Sequence, residues 1–181
     1  MVKSNLKTIF TLAVIALLGI GTFSCQKEEE KEKKDNKPVN YGDYVDLGLP
    51  SGTLWKATNE VKKDSAYDFY TYTEAKAAFG DKLPTKEQCE ELIDNCKCTW
   101  IDSGYTVTGP NGNTIFLPST GSRNCDGKVI VMKVQGFYWT STMSYSSDLA
   151  YTLNFSGTLG SLYMQDRTMC YGAAVRLVKK K

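Results

Sequence analysis

The sequence contains no histidine, and this absence removes the commonest routes to catalysis. Ser-His-Asp and Cys-His mechanisms need an imidazole as general base, and imidazole is also the commonest transition-metal ligand in proteins. An enzyme of this composition would depend on Asp, Glu, Lys, Tyr or Cys side chains. The composition therefore favours a protein that is not an enzyme and has no cofactor.

The chain also has no excess of positive or negative charge once its predicted N-terminal signal segment is left out. The chain has 22 Lys and Arg residues against 20 acids, and two of the lysines, Lys3 and Lys7, lie in a segment that we predict to be removed. The remaining chain is formally neutral. Nucleic-acid-binding surfaces are basic, so no nucleic-acid partner is predicted.

The N-terminal segment is typical of an exported protein. Its first seven residues contain two lysines and no acid, and an apolar run from Thr8 to Phe23 follows. A basic start, a short apolar run and the small residue Ser24 before Cys25 describe a secretory signal peptide. A transmembrane helix is the alternative, but 16 apolar residues are fewer than the roughly 20 needed to cross a bilayer. We therefore predict a signal peptide over residues 1–24.

Two motifs at the end of this segment resemble lipoprotein signals. Thr22-Phe23-Ser24-Cys25 resembles the bacterial lipobox, although Thr22 occupies the position where the lipobox usually has leucine. Gln26–Glu30 resembles the export signal that directs Bacteroidota lipoproteins to the outer face of the outer membrane. These resemblances imply that Cys25 is lipidated, with palmitate among its acyl chains. The outer membrane would then be a partner through that lipid, and the protein would be exposed at the cell surface.

The next segment has the composition of a tether. Residues 26–40 contain five lysines, five acids and no aromatic residue. Such a segment cannot bury a core, so residues 25–40 are predicted to be a lipidated cysteine followed by a disordered charged stalk. The remaining residues, 41–181, are numerous enough for one domain with its own core.

The other five cysteines are an odd number and do not form an obvious disulfide set. Cys89 and Cys96 lie seven residues apart on a predicted helix, roughly 10.5 Å, which exceeds the ~7 Å Cα limit for a disulfide. We interpret these two as small buried hydrophobic residues. Cys98, Cys125 and Cys170 can supply one disulfide, but their pattern does not select the pair. No Cys-x-x-Cys motif supports a zinc site.

The rest of the chain predicts two helices and many strands. Thr71 with Glu74, and Thr85 with Gln88, form capping boxes, and Gly80 marks the end of the first helix. Alternating apolar residues and turn signals predict strands elsewhere. The predicted strands cover residues 44–49, 53–61, 105–108, 114–117, 129–134, 137–142, 150–155, 161–164 and 173–178. This order predicts an α+β fold with an antiparallel sheet.

Several longer motifs occur in an order that resembles one known family. They are Tyr44–Leu49, Leu54–Asn59, Leu83–Lys86, Glu91–Cys96, Thr106–Pro118, Tyr138–Thr142 and Val175–Val178. Together, over about residues 43–179, they resemble the Fibrobacter succinogenes major paralogous domain. That family is similar to the C-type lectin-like domains of formylglycine-generating enzymes. The resemblance implies two short helices packed on a twisted antiparallel sheet, paired chain ends and long loops on one side.

The activities of related domains are not implied by the motifs present. The Glu-Pro-Asn, Gln-Pro-Asp and Trp-Asn-Asp motifs of calcium-dependent lectins are missing. Only Cys170 lies in the C-terminal region where the oxidases carry a copper-binding cysteine pair. The segment Asp64–Tyr70 also lacks the Trp-Gly-Glu insertion of many family members.

Residues 137–168 contain the best candidate binding surface. Tyrosines and small hydroxyl residues suit adaptable recognition, although they also populate ordinary strands and turns. The candidate ligand-binding residues are Tyr138, Thr140, Thr142, Ser144, Tyr145, Ser147, Asp148, Asp166 and Arg167. Trp55, Trp100 and Trp139 are interpreted as core residues, and Arg176 is expected to form a structural ion pair.

Three functional hypotheses follow. The first is a surface-exposed, non-enzymatic ligand-binding or adhesion module whose ligand is a glycan or a protein. The alternative is an accessory structural subunit of a cell-surface assembly, joined by strand addition at a sheet edge. The third is an enzyme with a Tyr, Asp or Cys mechanism.

Overall fold

The computed structural model describes residues 40–63, 65–130 and 133–181. The predicted signal peptide, the lipidation of Cys25 and the predicted stalk up to residue 39 lie outside these residues. In the described ranges, no helix is long and apolar enough to cross a bilayer.

Both predicted helices are confirmed, and both begin at their capping boxes. They are α1, Tyr72–Phe79, and α2, Lys86–Asn95. The Thr71 hydroxyl accepts from the Glu74 amide, and the Glu74 carboxylate accepts from the Thr71 amide at 2.8 Å. Thr85 and Gln88 form the same reciprocal pair. Gly80 ends α1 with a φ of 52°, which glycine adopts without a steric penalty, and begins a short 3-10 helix.

The described residues contain eleven strands. They are β1 Tyr44–Asp46, β2 Leu54–Lys56, β3 Lys97–Ile101, β4 Gly104–Thr108, β5 Thr114–Pro118, β6 Ser122–Arg123, β7 Val129–Ile130, β8 Gln135–Met143, β9 Leu149–Ser156, β10 Leu162–Thr168 and β11 Val178–Lys179. They pair antiparallel in four sheets, ordered β1-β2-β11, β10-β9-β8, β3-β4-β5 and β6-β7. The predicted α+β class with antiparallel pairing is confirmed.

The β8-β9-β10 sheet lies between two hydrophobic clusters. Successive residues of a strand point to opposite faces, so neighbouring residues of β8 enter different clusters. Tyr138 packs with Leu153 and Phe155 on one face. Trp139 packs with Ala150 on the other face.

The beginning and end of the described domain meet on one strand. Val45 of β1 and Val178 of β11 both pair with Trp55 of β2, from opposite sides. Trp55 is 1% exposed, so this sheet closes over the core. The interpretation of Trp55 as a core residue is confirmed.

The strand prediction needs correction in several places. The predicted strand 53–61 is reduced to Leu54–Lys56, and β6 was not predicted. Strand β3 was not predicted, although it forms a hairpin with β4 in which Trp100 pairs with Tyr105. The predicted strand 173–178 is reduced to isolated bridges at Ala173 and Ala174 and the short β11. Burial, and not continuous sheet pairing, explains the apolar pattern of this last segment, because Ala173 and Ala174 are 0% exposed.

The expected ion pair of Arg176 is wrong. This side chain is 2% exposed and has no carboxylate partner within the described ranges. It donates instead to Asn59 Oδ1 and to the backbone carbonyls of Lys56, Ala57 and Phe116, at 2.7–2.9 Å. Burial lowers the pKa of the guanidinium, and dense hydrogen bonding replaces the expected counter-ion.

The structure selects one disulfide, between Cys125 and Cys170, with a Cα–Cα distance of 5.0 Å. Cys89, Cys96 and Cys98 are free. The prediction that Cys89 and Cys96 do not pair is therefore confirmed. Cys89 is fully buried as predicted, whereas Cys96 is only partly buried.

Candidate functional site

Two of the candidate residues are part of the core. Tyr138 is 1% exposed, and its hydroxyl donates to the Pro118 carbonyl at 2.6 Å. Thr140 is 0% exposed, and its hydroxyl donates to the Tyr151 carbonyl at 2.8 Å. Both hydroxyl donors are used within the fold, so these residues do not belong to an exposed surface. Burial raises the pKa of Tyr138 to about 12.

Thr142 connects β8 to a helix. Its hydroxyl oxygen accepts from the backbone amide of Lys86, the first residue of α2, at 3.0 Å. The preceding residue, Ser141, donates its amide to the Pro84 carbonyl at 2.8 Å. Thr142 therefore fixes the start of α2 against the sheet.

Five candidate residues lie together at one end of the β8-β9-β10 sheet, which we call the hairpin tip: Ser144, Tyr145, Ser147, Asp148 and Asp166. The Ser144 hydroxyl donates to Asp166 Oδ2 at 2.8 Å, across the end of β9. Tyr145 is fully exposed. The hairpin tip is therefore a real surface, and it holds most of the predicted site.

Beside the hairpin tip lies an open, mostly apolar hollow of about 370 Å³. Met143, which is half exposed, and Met169 contribute its apolar wall. Tyr72, Thr73, Lys76 and Ala77 of α1 form the opposite side. Thr73 and Lys76 are the lining residues that add a hydroxyl and an ammonium group to this mainly apolar surface.

Arg167 faces away from the hairpin tip. Its guanidinium lies 4.2 Å from the centre of the Phe137 ring and 4.3 Å from the centre of the Tyr171 ring. One nitrogen donates to the Ser122 hydroxyl at 2.8 Å. Burial lowers the pKa of Arg167, and no carboxylate compensates within the described residues. Arg167 thus attaches β6 and the Tyr171 segment to the sheet.

A second surface was not predicted from the sequence, and we call it the Arg123 hollow. It has a volume of about 190 Å³ and is lined by Arg123 with Ser65, Ala66, Tyr67, Phe69, Gly127 and Val129. Tyr67 and Phe69 are stacked, with ring centroids 5.8 Å apart and planes 15° apart. Phe69 is buried, whereas Tyr67 is 43% exposed and presents its ring to solvent.

The guanidinium of Arg123 is short of hydrogen-bond partners. Its buried Nε has none, and no ion pair or side-chain hydrogen bond of Arg123 occurs in the part of the chain that the structure describes. No carboxylate lines the Arg123 hollow among the described residues. An unpaired, half-buried guanidinium beside an exposed ring is suited to bind an anion.

The backbone that carries Arg123 is held firmly. Its amide donates to the Gly172 carbonyl at 2.9 Å, and its carbonyl accepts from the Gly172 amide at 2.7 Å. Cys125 lies two residues after Arg123, and Cys170 lies two residues before Gly172. The disulfide between these cysteines therefore joins the same two segments. The close approach needs glycine, because a Cβ on Gly172 would lie 2.9 Å from the Cβ of Phe69 and 3.0 Å from that of Arg123.

The Tyr67–Phe69 pair also borders another hollow, of about 230 Å³, next to the Arg123 hollow. Thr120 and Lys133 contribute a hydroxyl and an ammonium group to it, and Asp68 contributes a carboxylate. The two hollows therefore share an aromatic wall and each contains one cationic side chain.

The free thiols do not resemble catalytic nucleophiles. Burial raises the pKa of Cys89 far above its usual range, and it raises the pKa of Cys96 to about 11. Such thiols are mostly protonated near neutral pH, and the thiolate is the reactive form. Within the described ranges, no group of three or more Cys, Asp or Glu side chains is placed to hold a metal ion.

Comparison of the chain with protein-family models, curated proteins and solved structures finds no match. The family resemblance drawn from the sequence motifs stays a prediction.

Proposed function

We propose that the protein is a lipid-anchored, surface-exposed binding module with a C-type lectin-like domain and without enzymatic activity, whose ligand is a glycan or a protein. The pairing of β1 and β11 on β2, and two short helices beside antiparallel sheets, support the lectin-like domain. The resemblance of residues 22–30 to lipoprotein signals supports the anchor at Cys25 and the outward orientation.

The single observation that carries the binding function is the Arg123 hollow. It combines a guanidinium without a partner among the described residues, an exposed aromatic ring and a rigid, disulfide-linked frame. Binding sites are typically concave, with ring surfaces and a small number of directed polar groups. The hairpin tip offers Tyr145 and Asp148 as further exposed contacts.

The test is binding by the full chain, solubilised with its lipid in mild detergent. It would be applied to an array of acidic and neutral glycans and used in pull-downs with proteins from the cell's surroundings. Specific capture of a glycan or a protein is expected. Absence of specific capture in both assays would overturn the proposal. Labelling of the wild type, but not of Cys25→Ala, by a palmitate analogue tests the anchor.

One observation favours the structural alternative, an accessory subunit of a surface assembly. Strand β10 is seven residues long and pairs only with β9 among the described residues, so one edge can accept another strand. Extraction under mild conditions would then release a complex. A free monomer would contradict this alternative and leave the binding module unaffected.

A further inference from the structure

We infer that the Arg123 hollow is an acidic-sugar subsite: it binds a sugar ring that carries a carboxylate or a sulfate, with Arg123 holding the anion and Tyr67 packing on the ring. This inference rests on the proposed binding function and names its ligand class.

The planar guanidinium of arginine presents paired N–H donors whose spacing matches two oxygens of a carboxylate or sulfate. Arg123 Nε is buried, but its two terminal Nη groups are not, and they make no hydrogen bond in the described part of the chain. An anion with two oxygens can accept hydrogen bonds from both Nη groups.

The size of the Arg123 hollow and its aromatic wall suit a sugar ring. A volume of about 190 Å³ is below the 300–1,000 Å³ typical of sites for drug-sized ligands, so it suits one ring-sized group. The exposed face of Tyr67, supported from behind by buried Phe69, provides a flat apolar surface for the C–H face of a sugar. An anion without a ring would leave this surface unused.

The neighbouring hollow of about 230 Å³ offers space for a second sugar unit. It begins on the other side of the same aromatic pair and contains the hydroxyl of Thr120 and the ammonium group of Lys133. A chain of sugars extends in steps of one ring, so the next unit can occupy this second space. Asp68 in this hollow accepts from the Lys62 amide at 2.8 Å, and its charge favours a neutral unit there.

The backbone that carries Arg123 is rigid. The two hydrogen bonds between Arg123 and Gly172, with the adjacent disulfide, fix the backbone that carries the guanidinium. A group that is already positioned loses less conformational entropy on binding.

The experiment measures binding of glucuronic acid, glucose 6-sulfate and glucose to the full detergent-solubilised chain by saturation-transfer NMR. We expect both acidic sugars to bind and glucose to bind at least about tenfold more weakly, as expected for loss of a charge-assisted contact. Preference between the two acids identifies the anionic group. Equal binding of glucose would overturn the inference.

Three variants localise the effect. Arg123→Gln should weaken glucuronic acid binding at least about tenfold. Arg123→Lys should retain only part of the wild-type binding, because lysine lacks the paired N–H donors of the guanidinium. The matched control is Lys97→Gln, which removes the same charge from an exposed position on β3 that does not line or adjoin the hollow and should change nothing. Unchanged binding in Arg123→Gln would refute the assignment.

A folding check keeps the result interpretable. Arg123→Gln should keep its melting temperature, because the replaced guanidinium makes no hydrogen bond within the described residues. If it does not fold, Tyr67→Ala removes the exposed ring and leaves the guanidinium, and should also weaken binding. If the glycan array or pull-down succeeds while Arg123→Gln binds as wild type, this inference fails and the proposed function stands. If the wild type captures no glycan and no protein, both fail.

Discussion

Replacement of Arg176 by methionine tests how the centre of the fold is held together. Arg176 lies in the last segment of the chain and donates to the carbonyls of Lys56 and Ala57 at the end of β2 and of Phe116 in β5. Its Nε donates to Asn59 Oδ1 at 2.8 Å. One side chain therefore joins three segments that are 60 to 120 residues apart in sequence.

The magnitude follows from two opposing terms. Hydrogen bonds to a charged group contribute about 1.5–3 kcal/mol each, and four are lost, leaving buried acceptors without partners. Methionine also removes a buried charge, whose desolvation costs several kcal/mol. The difference gives an expected loss of about 3–5 kcal/mol in the free energy of unfolding. This is a large part of the 5–15 kcal/mol typical of a domain.

The assay is urea denaturation followed by tryptophan fluorescence, with thermal melting as a second measure. Arg176→Met should lower the melting temperature by roughly 10–15 °C, from the usual 2–4 °C per kcal/mol for domains somewhat larger than this. Arg176→Lys should also be destabilised, because lysine keeps the charge but lacks the several N–H donors of the planar guanidinium. The exposed control Lys128→Met should change stability by less than about 0.5 kcal/mol. A loss below about 1 kcal/mol in Arg176→Met would refute the reasoning.

Two further predictions concern pH and the disulfide. The pKa of Tyr138 is about 12 in the folded protein against about 10 when unfolded, so the unfolded state loses its proton first and stability falls as pH rises from 10 to 12. This group contributes about 2–3 kcal/mol to that fall, so Tyr138→Phe should show a shallower decline of unfolding free energy between pH 10 and 12, and an equally steep decline would contradict the burial argument. Replacing Cys125 and Cys170 by serine opens a loop of 45 residues, and the chain-entropy relation gives a loss of about 4 kcal/mol. The urea midpoint should fall accordingly, and addition of reductant to the wild type should reproduce the change; an unchanged midpoint in both would show that the disulfide does not stabilise the fold.

Local signals made the helices predictable. A capping box is contained in four consecutive residues, so Thr71 with Glu74 and Thr85 with Gln88 could be read directly from the sequence, and both are present. The β4–β5 hairpin was equally accessible, because its turn carries Pro, Asn and Gly between two alternating segments. These elements depend on interactions among near neighbours.

Strand β3 and the last segment show where the sequence was insufficient. Lys97–Ile101 is as long as β4 and β5, but none of its residues is fully buried, so it lacks the buried alternating side chains that identify those strands. Residues 173–178 carry a strand-like pattern because they are buried, but their contacts are single bridges to distant segments. In both cases the deciding partner lies elsewhere in the chain.

The candidate surfaces also include one that the sequence predicted and one that it did not. The hairpin tip was predicted because Ser144, Tyr145 and Asp148 are close in sequence. The Arg123 hollow was missed because it combines the loop at 65–69 with β6, more than 50 residues later, and the pairing of β6 with Gly172. The composition contained one signal that could have drawn attention to Arg123: arginine is rare in this sequence, with three residues beside 19 lysines.

The three arginines differ in how many of their donors are used within the described residues. Arg176 has four acceptors and is 2% exposed, so its donors are committed to the fold. Arg167 has two ring faces and one hydroxyl acceptor, which makes it a clamp between β6 and the sheet. Arg123 has neither a carboxylate nor a hydrogen-bond acceptor among the described residues, yet its backbone is fixed by Gly172. An unpartnered buried Nε does not by itself distinguish them, because Arg167 Nε also has no partner. Arg123 differs because its side chain makes no hydrogen bond or ion pair with the described residues and lines a concave surface. The free donors of Arg123 at a concave surface are therefore the feature that points to a ligand.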